Sequence, residues 1–156
     1  MADAAKSIRA RDLGLDYPGT PGPNNAITDV PGVQVGYTTL QSGEDQLVVG
    51  EGPVRTGVTA IWPRGHAAQP VPVFAGSYAL NGNGDMTGTH WIRDGGSFLG
   101  PVCITNTHSV GVAHHASVRW MLDTYQADFH DRHMWAMPVV AETYDGVLND
   151  INGQHV

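Results

Sequence analysis

The sequence predicts an α/β or α+β layered domain, on three observations. Several short β-branched and aromatic runs are bounded by Pro and Gly, as strands are. One longer segment carries an apolar stripe at three- and four-residue intervals, as an amphipathic helix does. The 20 glycines and 10 prolines are spread along the chain, which suits many turns between short elements and argues against a long helical bundle.

In chain order, the segment to Asn25 is loop-like, with "DYPGTPGPNN" supplying three prolines and two glycines. Pro31-Gly32 then turns the chain into Val33, Val35 and Tyr37, whose alternation predicts a half-buried strand. "SGED" at 42–45 reads as a turn. "TGVTAIWP" (56–63) and "VPVFAGSYAL" (71–80) both read as strands. "NGNGDMTGTHWIRDGG" follows, and its two Asn-Gly pairs predict a structured loop. Val102 to Thr105 is the next strand, with Thr107 or Ser109 a plausible helix N-cap. Val118, Met121, Leu122, Tyr125 and Phe129 draw one apolar stripe along the helix, with Arg119, Asp123 and Gln126 off it. A strand at 137–142 closes the pattern. The final "LNDINGQHV" offers no element that could cap a sheet, and the chain reads as cut off.

Composition narrows the function classes. A chain of 156 residues suits one domain, and 41% hydrophobic with 15% charged residues is a globular balance. The net charge is −7 with no clustered basic face, which argues against nucleic acid as partner. No apolar stretch approaches the roughly 20 residues of a membrane span, and the N-terminus lacks the apolar core of a secretory signal. Cys103 is the one cysteine, so no internal disulfide framework exists, and a reducing, cytoplasmic setting is expected.

Four constellations could carry chemistry. Five of the 8 histidines fall between His108 and His133, but no zinc motif such as HExxH accompanies them. They read as surface or structural histidines, and no metal or cofactor is expected. GxSxG is absent, Cys103 sits inside an apolar strand, and neither Ser77 nor Ser97 has an activating context. "NGNGD" lacks the lysine of a phosphate loop, and its glycines miss the dinucleotide spacing. The fourth constellation is "MPVVAETYDG" at 137–146, an apolar strand running into Glu142 and Tyr144. Residues two apart on a strand share a face, so the two would form a carboxylate–hydroxyl pair if the strand extends that far. Such a pair can hold a substrate ammonium and donate to an oxyanion. The alternative is a sheet rim in water.

"NAITDVPGVQVGYTTL", "NGNGDMTG", "GPVCITNTHSVGV" and "PVVAETYDGVLNDING", in that order, resemble the DmpA/BapA family of aminopeptidases, as does "RARDLGL" nearer the start. The resemblance runs from about Arg9 to the end. It implies a four-layer αββα sandwich, incomplete in this chain, of which residues 1–156 form one domain at the N-terminal portion of an α chain. In that family the precursor cuts itself into an α chain and a smaller β chain, whose new N-terminal serine is the nucleophile and whose α-amine is the base. A small peptide or amino-acid amide would be the substrate, and αβ units would assemble into a homo-oligomer. No serine here matches the nucleophile's motif, so this chain alone is expected to be inactive. Tyr144 matches a tyrosine beside the nucleophile, as a catalytic hydroxyl. Glu142 matches an acidic residue suited to the substrate ammonium, and Trp135 a wall of the substrate pocket. Two rivals remain: an acyltransferase of the ornithine-acetyltransferase type, with a threonine nucleophile, and a non-catalytic binding or regulatory fragment of the same fold.

Overall fold

A computed structural model describes residues 8–44, 46–65 and 70–156. Its strands are β1 (Gln34–Ser42), β2 (Val54–Trp62), β3 (Val73–Phe74), β4 (Ser97–Phe98), β5 (Val102–Asn106) and β6 (Val139–Thr143), and its helices are α1 (Thr89–Gly95), α2 (Val110–Thr124) and α3 (Gln126–Asp131). One mixed four-stranded sheet has the order β1-β2-β5-β6, and β3 with β4 makes a separate two-stranded ribbon. The layered α/β expectation therefore holds.

β1 and β2 form a nine-residue antiparallel hairpin from Gln34↔Trp62 to Ser42↔Val54. Its connection is clamped by the Arg55 guanidinium, which donates to the carbonyls of Ser42 (2.7 Å) and Gly43 (2.6 Å). β5 runs antiparallel to β2 and parallel to β6. A parallel pair needs a crossover of a dozen or more residues, here supplied by α2 and α3.

Among the described residues the sheet has hydrophobic clusters on both faces at its β5–β6 side. Cys103, Val110, Ala113 and Val140 form a cluster between the sheet and α2. Val139 points the other way, joining Ile92 of α1 and Phe98 of β4 in a second cluster. The strand's period of two makes this split, since neighbours 139 and 140 face opposite sides. On the predicted helical stripe Met121 and Tyr125 are buried, whereas Leu122 is partly exposed and the helix breaks at Tyr125 into α3.

Several readings of the sequence are corrected. β1 is a strand, but not a half-buried one: Tyr37 is 77% exposed, and among the described residues α2 packs on β5 and β6, while β1 packs mainly on its hairpin partner β2. The 71–80 run is not a strand beyond Val73–Phe74, and Phe74 is 98% exposed. Val73–Phe74 pairs with β4, and beyond it the apolar content of the run mimics a core strand without a sheet partner. The loop after it contains a helix, α1. The "SGED" turn includes Asp45, which lies outside the described residues, and its Ser42 ends β1. Ser109 stands at the N-cap of α2 without a capping side-chain bond, and Asn106 instead accepts from the Ser109 N–H at 3.0 Å.

The C-terminal segment is built into the fold. Asn149 and Asp150 are both buried. The Asp150 carboxylate accepts from the Gly50 N–H (2.7 Å), the Gly153 N–H (3.0 Å) and His155 Nε2 (2.9 Å), while its own N–H donates to the Pro53 carbonyl at 2.8 Å. Hydrogen bonding to His155, ahead of that to the two backbone N–H groups and against the cost of burial, holds the Asp150 carboxyl below the usual carboxylate range.

Candidate active site

Strand β6 carries Glu142 to its C-terminal end, beside the end of β5. Its outer side is not bare. Residues 85–87 of the Asn-Gly loop lie along it: the Glu142 N–H donates to the Asp85 carbonyl (3.0 Å), the Thr87 N–H to the Val140 carbonyl (2.9 Å), and Met86 bridges Ala141. The Thr87 hydroxyl donates to the Pro138 carbonyl and accepts from the Val140 N–H, both at 2.9 Å. Gly88 follows with φ +76°, where a Cβ would lie 3.3 Å from a Val139 methyl, so glycine lets α1 start close against β6.

Glu142 shares the α2 face of β6 with Val140. There its carboxylate meets the strand-to-helix turn between β5 and α2: the Thr107 hydroxyl donates to Glu142 Oε2 at 2.5 Å. The other oxygen, Oε1, sits over Gly84 of the Asn-Gly loop, where a Cβ would be 2.8 Å from it. Thr107 is fixed in turn by its neighbour Asn106, which is buried and whose side chain donates to the Thr56 hydroxyl at 2.8 Å. An oriented, half-buried carboxylate of this kind is suited to a cation.

Tyr144 lies one residue beyond the end of β6, so strand alternation does not place it on the Glu142 face. Its ring folds over Gly146, near Ile151, and it is 68% exposed. The following turn is secured from below. Asn149 donates to the Asp145 carboxylate at 3.0 Å and accepts the N–H of Arg55 in β2 at 2.9 Å. Trp135 packs edge-on against Trp91 of α1, with centroids 5.7 Å apart, directs its indole N–H at the Met137 sulfur (3.2 Å), and remains 60% exposed. The structure thus brings Glu142 together with Thr107 and Gly84, sets Tyr144 on an anchored turn at the same strand end, and puts Trp135 beside α1.

Two grooves flank the sheet, and one of them reaches the end of β6. An apolar one of about 410 Å³ runs between β2 and α2, lined by residues including Val58, Ala60 and Trp120. A polar one of about 220 Å³ crosses the middle of the sheet and is lined at one end by Thr143 and Asp145. Among the described residues no group of three or more His, Cys, Asp or Glu is arranged to hold a metal. His130 pairs with Asp131 at the surface.

Residues 25–156 match peptidase family S58. The chain belongs to that family. It is 57% identical over 155 residues to the beta-peptidyl aminopeptidase BapA of Sphingosinicella microcystinivorans, an alignment covering 99% of this chain and 38% of that protein. Among solved structures it is similar to the L-aminopeptidase D-Ala-esterase/amidase of Ochrobactrum anthropi. That protein, described as a prototype for the serine aminopeptidases and a variant of the Ntn hydrolase fold, shares 60% identity and a TM-score of 0.86, over 95% of this chain and 41% of its own. A Burkholderia sp. beta-aminopeptidase shares 51% identity with a TM-score of 0.81, over 96% of this chain and 40% of its own. The chain therefore spans about two fifths of the length of each of these S58 relatives, and its α/β architecture is that of the Ntn-hydrolase aminopeptidases.

Thr107, Gly84 and Asn149 are the site's supporting residues that sequence reasoning missed. Thr107 reads locally as a helix N-cap, and only the parallel register Thr105↔Glu142 shows that it ends up beside the carboxylate.

Proposed function

We propose that this chain is the N-terminal part of the α chain of a self-processing serine aminopeptidase, which releases N-terminal D-, L- or β-amino acids from small peptides and amides. The observation that carries the proposal is the Glu142 carboxylate, oriented by Thr107 at the end of β6 in a member of peptidase family S58. An aminopeptidase must recognise a free ammonium, and an oriented carboxylate is the group that does so.

In this reading Glu142 pairs with the substrate ammonium and Trp135 forms part of the pocket wall. The nucleophile is the N-terminal serine of a β chain. Its hydroxyl attacks the scissile carbonyl while its own α-amine, with a reference pKa of roughly 8, takes the proton. The Tyr144 hydroxyl donates a hydrogen bond to the resulting oxyanion or to the departing amine. The leaving amine carries the proton away, and water then hydrolyses the acyl-enzyme. No metal or cofactor enters these steps. The names borne by the S58 relatives favour this hydrolase over an acyltransferase. No helix among the described residues is long and apolar enough to cross a membrane. Separately, the single cysteine of this segment, the buried Cys103, suits a reducing cytoplasm, and in this reading αβ units assemble into an oligomer.

Expression of the full-length gene, followed by intact mass and N-terminal sequencing of every co-purifying polypeptide, tests the reading. A second chain beginning with Ser, together with turnover of amino-acid amides, is the expected result. A second chain beginning with Thr would point to the acyltransferase. A single uncleaved polypeptide with no amidase activity would overturn the proposal.

A further inference from the structure

We infer that Thr107 and Gly84 are positioning residues that set where the Glu142 carboxylate presents itself to the substrate amine, and so govern the enzyme's requirement for a free N-terminus. The inference rests on the proposed aminopeptidase reading of Glu142 and assigns a role to the Asn-Gly loop.

Glutamate has three side-chain torsions, and an unrestrained one would have to be ordered each time an ammonium binds. Here the Thr107 hydroxyl orders it beforehand, and Gly84 bounds the space on its other side. From one side the Thr107 hydroxyl holds Oε2 at 2.5 Å. Thr107 itself cannot drift, because Asn106 is buried and bonded both to Thr56 (2.8 Å) and to the Ser109 N–H (3.0 Å). From the other side Gly84 passes beneath Oε1 so closely that a Cβ there would fall 2.8 Å from it. That loop is locked as well: Asn81 accepts the Asn83 N–H at 2.8 Å, and residues 85 and 87 are hydrogen-bonded to β6. Oε2 already accepts one hydrogen bond, and Oε1 lies against a residue without a side chain, so Oε1 is the less engaged oxygen for a cation. Gly84 keeps the approach to it low and open.

The test compares full-length parent and variants on the p-nitroanilides of β-alanine, L-alanine and propionic acid, the last lacking the amine of the other two. Glu142→Gln should abolish the preference for the aminoacyl substrates. Thr107→Val keeps the shape and removes the hydroxyl, and should raise KM for the preferred aminoacyl substrate about 10-fold, the scale of one lost hydrogen bond to a charged group, with a much smaller change in kcat. Thr107→Ser should restore most of that KM. Gly84→Ala, on the opposite loop, should raise KM in the same direction and keeps the inference testable if the valine variant misfolds. If Glu142→Gln collapses the preference while Thr107→Val and Gly84→Ala keep the parent KM, the positioning role is wrong. If Glu142→Gln leaves the preference intact, the ammonium reading itself fails.

Discussion

Asn149 bolts the turn that carries Tyr144 to the rest of the sheet, and its removal should be felt well beyond its size. It is 1% exposed, accepts the Arg55 N–H of β2 at 2.9 Å and donates to the Asp145 carboxylate at 3.0 Å. Asn149→Ala strands a partly buried backbone donor, a loss of about 1–3 kcal/mol. It also removes a hydrogen bond to a charged group, worth roughly 1.5–3 kcal/mol when fully buried and less here, because Asp145 can turn to water. The two losses share one side chain and do not simply add, so the expected destabilisation is about 2–4 kcal/mol. With a urea dependence of roughly 3 kcal/mol/M, the midpoint of unfolding should fall by about 1 M. Asn149→Asp sharpens the test. It keeps an acceptor for Arg55 but sets a second carboxylate against Asp145, so it should be no better than alanine. Urea unfolding of the full-length protein, followed by fluorescence, measures both. Midpoints within about 0.2 M of parent for the two variants would refute the idea that this buried amide holds the turn.

Tyr144→Phe should lower kcat by a factor of about 10²–10³, the usual scale for removing one oxyanion donor, and an unchanged kcat would remove the hydroxyl from the mechanism. Met121 is fully buried, and its sulfur and terminal methyl pack beside Gly100, so Met121→Ala should destabilise by about 2–5 kcal/mol in thermal or urea unfolding. Asp150 titrates below its ordinary range in the fold, chiefly through His155. A carboxylate with a depressed folded pKa stabilises fully above its unfolded value of about 3.9, and that stability is lost as pH falls from there through the lowered folded value. Asp150→Asn should therefore flatten the acid limb of the stability profile below about pH 4, and parallel acid limbs for parent and variant would contradict the assignment.

The elements legible in the sequence were those whose burial is apolar and local. β5 and β6 announce themselves as short hydrophobic runs, and α2 through the spacing that buries Met121 and Tyr125. Where apolar residues are not buried the same signal misleads: Val71 to Leu80 reads as a strand, yet Phe74, Tyr78 and Leu80 lie exposed. α1 was hidden because it is only seven residues long and is framed by Gly88 and Gly96, both left-handed and both typical of loops. The packing of the C-terminal segment was illegible for the opposite reason. Asn149 and Asp150 are buried by hydrogen bonds, which leave no hydrophobic trace in the chain. At the site, Glu142 and Tyr144 stood out as polar residues ending a core strand. Their partners could not, since Thr107 is 35 residues and Gly84 58 residues away, and only the sheet register brings them to the carboxylate.

In the proposed enzyme this segment supplies the amine-binding and oxyanion-side groups of an active site whose nucleophile lies elsewhere. A serine-directed aminoacyl phosphonate, reacted with the full-length processed protein and located by peptide mass spectrometry, tests it most directly. The adduct should sit on the N-terminal serine of a second polypeptide, with none between residues 1 and 156. An adduct on Ser77, Ser97 or any other serine of this segment would contradict the account.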